Sequence, residues 1–300
     1  MIWKTRITQI TGIKYPIIMG AFGGWGKSDF ASSFSNAGGL GILAALNFPN
    51  LEDFRKDLQN MKNLTDKPFG VNLSLPHHTL SDTNEDLKTK KRYLEYVEVA
   101  LNENIKIFTT SGFKAKFLGD RIHQAGGYWF HKCVLVKHAI SVEKDGADAV
   151  TLVGLEGTGF KNPYSNTTLV NITMAKKLLK VPIIAAGGIG DARGFLSALA
   201  MGADAVCFGT ALMITKECPV ALNIKKKWLN IDIFDEDFYD RIFHYNVKNF
   251  MSPSMALGHR KEILPIKAFI EEIINGAEAI LKSWGFKKEE FSTLKLYIRK

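Results

Sequence analysis

Residues 181–210 read VPIIAAGGIGDARGFLSALAMGADAVCFGT. A short apolar, β-branched run, Pro182–Ala185, leads into a segment of helical period at 191–201, and a second apolar run follows at Ala205–Phe208. Strand, helix and strand in that order form the βα unit of a parallel sheet. The turn Met201-Gly-Ala-Asp204 puts glycine where the helix ends, a position that favours a left-handed backbone. Both runs close on small residues, Ala186-Gly187-Gly188 after the first and Gly209-Thr210 after the second.

The same alternation extends back to residue 16. Strand candidates are Pro16–Met19, Leu40–Ala44, Pro68–Leu73, Ile105–Thr109, Tyr128–Val134, Ala149–Val153, Pro182–Ala185 and Ala205–Phe208. Helix candidates lie between them at 29–37, 51–62, 84–102, 113–125, 136–145, 167–179 and 191–201. Asn36-Ala-Gly-Gly-Leu-Gly41, Gly126-Gly127 and Asp145-Gly-Ala-Asp148 repeat the glycine stop. Eight strands separated by single helices are the number that closes a (β/α)8 TIM barrel. An open doubly wound sheet uses the same alternation but rarely needs eight evenly spaced units. From Pro219 the rhythm stops and the pattern becomes helical, with a mixed stretch at Phe234–Phe250 and a long amphipathic candidate at Ile263–Ser283. The expected division is an α/β barrel over 1–218 and a C-terminal helical extension over 219–300. The extension is expected to cap the barrel mouth or to pack beneath it.

Composition agrees with an ordinary soluble globular protein. The 300 residues are 46% hydrophobic and 23% charged, enough for a sizeable core. The net charge of +9 is spread along the chain, densest at Lys88-Thr-Lys-Lys-Arg92 and Lys225–Lys227, and solvated helix faces account for such runs. The surplus also suits an anionic ligand. No basic stripe carries interleaved aromatics, so nucleic acid is not an expected partner. Cys133, Cys207 and Cys218 have neither disulfide nor zinc spacing, and no metal is expected. The N-terminal residues lack a signal peptide's apolar stretch and no apolar run is long enough for a membrane span, so a cytoplasmic protein without membrane partners is expected.

In a TIM barrel the chemistry sits at the C-terminal ends of the strands, and the loops after strands seven and eight are its usual phosphate site. Glycines let backbone N–H groups approach a phosphate closely, and Thr210 adds a hydroxyl. One such loop is more simply a tight turn. Two, both in the right places, point to a phosphate held by Ala186, Gly187, Gly188, Gly209 and Thr210.

Several ordered segments resemble the nitronate monooxygenase (2-nitropropane dioxygenase-like) family, related to flavin-dependent enoyl-ACP reductases and NAD(P)H:quinone reductases. They are Tyr15-Pro-Ile-Ile-Met-Gly-Ala-Phe22, Asn36-Ala-Gly-Gly-Leu-Gly41, Pro68-Phe-Gly-Val-Asn-Leu73, His131-Lys-Cys133 with Lys137-His-Ala139, Gly146-Ala-Asp-Ala-Val150, Val181–Gly188, and Gly209-Thr210 before Lys216-Glu-Cys218. The resemblance implies FMN as cofactor. It implies that Gly20, Ala21 and Phe22 pass the flavin ring by backbone contact and that Asn72 and Ser74 edge its polar side. Lys132 is similar to the family lysine beside the ring, where a cation stabilises negative charge. Thr158 and Gly159 offer further backbone donors to the phosphate.

The chain departs from the family pattern once. The sixth-strand loop reads Glu156-Gly-Thr-Gly-Phe160-Lys-Asn162, with Phe160 where the family carries its acid/base histidine. The other histidines do not replace it from sequence alone. His77-His78 match no metal spacing, His131 alternates to the face opposite Lys132, His138 sits in a helix, and His123, His244 and His259 have no arguable partner. The expected function is oxidation of alkyl nitronates with oxygen to a carbonyl compound and nitrite, because a nitronate arrives already deprotonated. The alternative is NAD(P)H-dependent reduction of a quinone or enoyl thioester. A different class, suggested by Phe160, is a flavin-binding protein with little turnover. In each case the partners are small molecules, and a homodimer is compatible with the sequence.

Overall fold

The computed structural model describes residues 3–76, 80–158, 164, 166–243 and 254–286, with 241–243 as backbone only. Eight strands form one parallel sheet: β1 (Ile17–Met19), β2 (Gly41–Ala44), β3 (Phe69–Ser74), β4 (Ile107–Ser111), β5 (Tyr128–Cys133), β6 (Ala149–Val153), β7 (Ile183–Ala186) and β8 (Ala205–Phe208). Each strand from β3 to β8 pairs with its predecessor, and β8 pairs with β1. The last seam is a single parallel bridge between Ile18 and Leu40, held by Met19 N–H to Leu40 O at 2.9 Å and Leu40 N–H to Ile17 O at 3.0 Å. The sheet therefore closes into the (β/α)8 TIM barrel expected from the sequence.

After α1 (Arg6–Thr11), the helices between the strands are α2 (Ser28–Asn36), α3 (Leu51–Leu64), α4 (Asn84–Asn102), α5 (Lys116–Gln124), α6 (Val136–Lys144), α7 (Thr168–Leu178) and α8 (Ala192–Ala200). The chain continues through α9 (Thr210–Met213), α10 (Leu222–Leu229), α11 (Glu236–Phe243), a 3₁₀ turn at Met255–His259 and α12 (Ile266–Ser283). Gly38, Gly126, Gly146 and Gly202 all adopt positive φ at helix-to-strand turns, where a side chain would be strained. No helix among the described residues is long and apolar enough to cross a membrane.

Two features differ from the sequence expectation in ways that matter for the site. Strand β4 begins at Ile107 rather than Ile105, because Asn104 turns through a left-handed backbone (φ 61°) and Ile105 N–H still bonds Ala100 O at the end of α4. The strand consequently runs on to Ser111. Helix α12 neither caps the mouth nor lies beneath the barrel. It packs beside α8 and α2, and Phe269 meets Phe208 of β8 edge-on at 5.3 Å between ring centres. It thus covers the outside of β8, where the four-residue α9 is too short to bury an apolar face.

Alternation sorts the strand side chains into two sets. One faces the helices: Trp129 lies against Gly119 of α5, and Phe208 against α12. His131 belongs to this set, as alternation from Lys132 requires. It is buried, its Nδ1 lies 2.7 Å from Thr110 Oγ1, and Trp129 Nε1–H donates to the same hydroxyl at 2.7 Å. Thr110 thus joins the two rings through one hydroxyl, whose own hydrogen also has Phe130 O within reach at 3.4 Å. Burial, with His138 nearby, pushes the His131 pKa down to about 4. The unfolded chain takes up that proton near pH 6.5 and the folded chain only near 4, so the histidine's contribution is fully present above about pH 6.5 and is lost as pH falls toward 4. Unfolding free energy should drop by about 3 kcal/mol over that window. In His131→Gln this part of the slope should vanish, and denaturant melts of both proteins at pH 7, 5.5 and 4 would reveal it. An identical slope in the two proteins would show that another group titrates.

Candidate active site

The second set of strand side chains faces the barrel axis. Its lower layers are apolar, with Ile42, Ile107, Phe130 and Ile184 all buried. Toward the C-terminal ends the wall divides. On β3 to β6 it is polar: Asn72, Ser74, Thr109, Ser111, Lys132 and Thr151 share this face by strand register. On β7, β8 and the exit of β1 it is small, with Ala186, Cys207 and Gly20.

The polar side is pre-organised by its own hydrogen bonds. Asn72 Nδ2 donates to Thr109 Oγ1 at 2.9 Å and to Thr109 O at 3.2 Å. Ser74 Oγ donates to Asn72 Oδ1 at 3.0 Å, so the Ser111 hydroxyl, 2.9 Å away, is the donor to Ser74. Tyr93 of α4 fixes the end of β3 by donating to Ser74 O at 2.6 Å, and burial raises the pKa of that phenol, keeping it protonated. Lys132 stands next in register to Ser111. It is half-buried, and among the described residues its ammonium makes no hydrogen bond or ion pair. It acts on Cys207 across the barrel, where burial raises the thiol pKa and the Lys132 charge opposes that rise.

The opposite rim is built from backbone. Gly187 and Gly188 adopt φ of 105° and 71°, both in the left-handed region. Glu156 lies behind this loop and caps α7, accepting from Thr168 N–H at 2.9 Å and from the Thr168 hydroxyl at 3.0 Å. The same hydroxyl lies 3.0 Å from Gly187 O and ties the sixth and seventh loops together. Above Gly209 there is open space: among the described residues, chain neighbours aside, no heavy atom lies within 4 Å of where its Cβ would stand. Gly20 is packed against β8: a Cβ there would come within 3.0 Å of Phe208 O.

A family model described as nitronate monooxygenase matches residues 4–243. The chain belongs to the nitronate monooxygenase family. These are oxidoreductases, and membership implies a flavin. Among curated relatives, the chain is 31% identical to the Mycobacterium tuberculosis (3aS,4S,5R,7aS)-5-hydroxy-7a-methyl-1-oxo-octahydro-1H-indene-4-carboxyl-CoA dehydrogenase, over 75% of this chain and 60% of that protein. It is 28% identical to a probable nitronate monooxygenase of Staphylococcus haemolyticus, over 72% and 70% of the two chains. The chain thus spans about 60% of the length of the first of these relatives. FabK from Thermotoga maritima has a similar structure, with a TM-score of 0.77 at 26% identity, covering 94% of this chain and 98% of that one.

The glycine rim fits a flavin phosphate. Two left-handed glycines and an open Gly209 leave backbone N–H groups free of side-chain cover, and one polar wall stands opposite one small-residue wall. The structure brings Asn72, Ser74 and Lys132 together on the first side, and Ala186, Gly187, Gly188, Gly209 and Thr210 lie on the second. Gly20, Ala21 and Phe22 leave β1 between them, with Phe22 buried. Thr158 lies in the sixth loop; Gly159, Phe160, His77, His78 and His244 lie outside the described residues.

Sequence reasoning missed Thr109, Ser111, Thr151 and Cys207. Alternation outward from Lys132 and Ala149 would have found Thr151, and a β4 two residues longer would have found Ser111. It also found no partner for His123 or His259. His123 Nε2 lies 2.8 Å from Asp148, at the opposite end of the barrel from the site, and His259 Nδ1 lies 3.7 Å from Asp191, the residue that caps α8. No cluster of His, Cys, Asp or Glu among the described residues is arranged to hold a metal.

Proposed function

We propose that the chain is an FMN-dependent oxidoreductase that converts alkyl nitronates, with oxygen, into a carbonyl compound and nitrite. The observation that carries this reading is Lys132, a half-buried ammonium on the interior wall with no counter-charge among the described residues. A cation drawn partly out of water and left unpaired is complementary to an anion. A nitronate is one, with its charge spread over two oxygens that the Ser74 and Ser111 hydroxyls and the Asn72 amide can flank. FMN supplies the electron acceptor. Its phosphate is assigned to Ala186, Gly187, Gly188, Gly209 and Thr210, with Thr158 and Gly159 beside them, and its ring to the space between Gly20–Phe22 and the polar wall.

Mass spectrometry of cofactor released from the purified protein should give FMN; FAD, or no flavin after reconstitution, would overturn the assignment. Anaerobic addition of a nitronate should then bleach the flavin band. The CoA-thioester dehydrogenase at 31% identity favours a second reading, redox chemistry on an acyl thioester. Bleaching by NAD(P)H with recovery on adding an enoyl-CoA, and none by nitronate, would select it.

The chain has phenylalanine at the family's histidine position, so proton removal from a neutral nitroalkane lacks its usual base. The parent should therefore turn over nitronate far faster than the matched nitroalkane. Phe160→His should raise the rate on the neutral form, by up to about 10²-fold if the imidazole is held in reach. Initial rates on matched substrates across pH would decide this. A parent that already uses both forms, with a group titrating near neutrality, must have its base elsewhere.

A further inference from the structure

The family match ends at residue 243, and the chain then returns to the rim of the site. Ser254 opens the 3₁₀ turn Met255–His259, its hydroxyl accepting Ala256 N–H at 3.3 Å. Its own N–H donates to Thr210 Oγ1 at 3.0 Å, with Ser254 3% and Thr210 4% exposed. The turn also presses on the seventh loop: a Cβ on Gly190 would stand 3.0 Å from both Ala256 O and His259 Cβ. Its far end is anchored. Arg260 lies 4.8 Å above the Phe269 ring and bonds Glu272, while Glu217 accepts Ile266 N–H at 2.9 Å and Lys216 N–H donates to Leu264 O at 2.9 Å.

Thr210 is the point of interest. A hydroxyl carries one donor and two acceptor positions. The Ser254 amide takes an acceptor position, and Thr210 side-chain oxygen makes no other hydrogen bond among the described residues. Its O–H is thus unspent although the group is almost wholly removed from water, and an unspent buried donor is destabilising until an acceptor arrives. The space above the adjacent Gly209 is open.

We propose that Ser254–His259 is part of the flavin site: the Ser254 amide directs the Thr210 hydroxyl as a donor to the FMN phosphate, and the turn closes that end of the mouth. This rests on the phosphate lying on the seventh and eighth loops. Ser254 is a positioning residue, acting through Thr210.

The test is titration of the full-length apoprotein with FMN and, separately, with riboflavin, which lacks the phosphate. The parent should prefer FMN. Thr210→Val removes the hydroxyl and Ser254→Pro removes the amide hydrogen; each should weaken FMN roughly tenfold and leave riboflavin within about twofold, and the double variant should be no worse than either single one. Should the proline variant fail to fold, hydrogen exchange on the unaltered chain decides alone. Amides of 254–259 should slow when FMN binds and not when riboflavin binds. Normal FMN affinity in a folded Ser254→Pro, or exchange at 254–259 indifferent to FMN, would overturn the role of the turn while leaving the FMN reading intact. A parent that binds FMN no better than riboflavin would overturn the phosphate assignment itself.

Discussion

Gly188→Asp should yield a folded, colourless protein. Gly188 has φ of 71°, which an aspartate tolerates poorly, at a cost of order 1–3 kcal/mol. The added Cβ would also meet Glu156 Cβ at 3.0 Å, so the new carboxylate would sit beside an existing one. Glu156 is held by the N-terminus of α7 and has little room to withdraw. The barrel survives because the loop is half-buried and makes no core contact that the substitution deletes. Phosphate binding does not survive. A carboxylate repels the phosphate where backbone donors should receive it, and losing hydrogen bonds to a charged group costs about 1.5–3 kcal/mol each. Two such losses correspond to about 10²–10⁴-fold in affinity. Apoprotein titration followed by flavin fluorescence measures this, and circular dichroism checks the fold. If the variant keeps FMN at the parent's affinity, the phosphate lies elsewhere on the barrel.

The residues behind that prediction were legible before the fold was seen, and the reason is local. Tight turns need glycine wherever they occur, and βα units repeat, so Gly187, Gly188 and Gly209 fall at strand ends by counting alone. Lys132 was legible through the family resemblance, and alternation from it sent His131 to the helix-facing side. What sequence could not supply was closure between distant segments. Ser111 depends on where β4 starts, which Asn104 decides by turning left-handed. Ser254 reaches Thr210 across 44 positions of sequence, and nothing in its neighbourhood marks it. The place of α12 was hidden for a related reason: its apolar stripe shows that it packs, while the shortness of α9, which leaves β8 uncovered, shows where.

Lys132→Met should keep the flavin and lose most of the activity. Methionine replaces an aliphatic stem of similar length, and the ammonium it removes has no partner among the described residues, so folding stability should hold or rise. On the catalytic side the loss is specific. An ammonium fixed beside the polar wall is arranged before substrate arrives, and removing one such preorganised group typically costs about 10²–10³-fold in rate. The fall should appear in kcat/KM for nitronate, with the melting temperature no lower than the parent's. A second measurement separates binding of negative charge from any subtler effect on the cofactor: nitrate, a planar anion that resembles a nitronate but cannot be oxidised, should perturb the flavin spectrum of the parent. In Lys132→Met that perturbation should need far more nitrate, and in the parent it should weaken as unrelated salt is added. Lys132→Arg tests geometry, because it restores charge with a bulkier, planar head and should recover nitrate binding better than turnover. A Lys132→Met enzyme that oxidises nitronate at the parent's rate would remove the anion argument on which the nitronate reading stands. The acyl-thioester reading would then be the one to pursue.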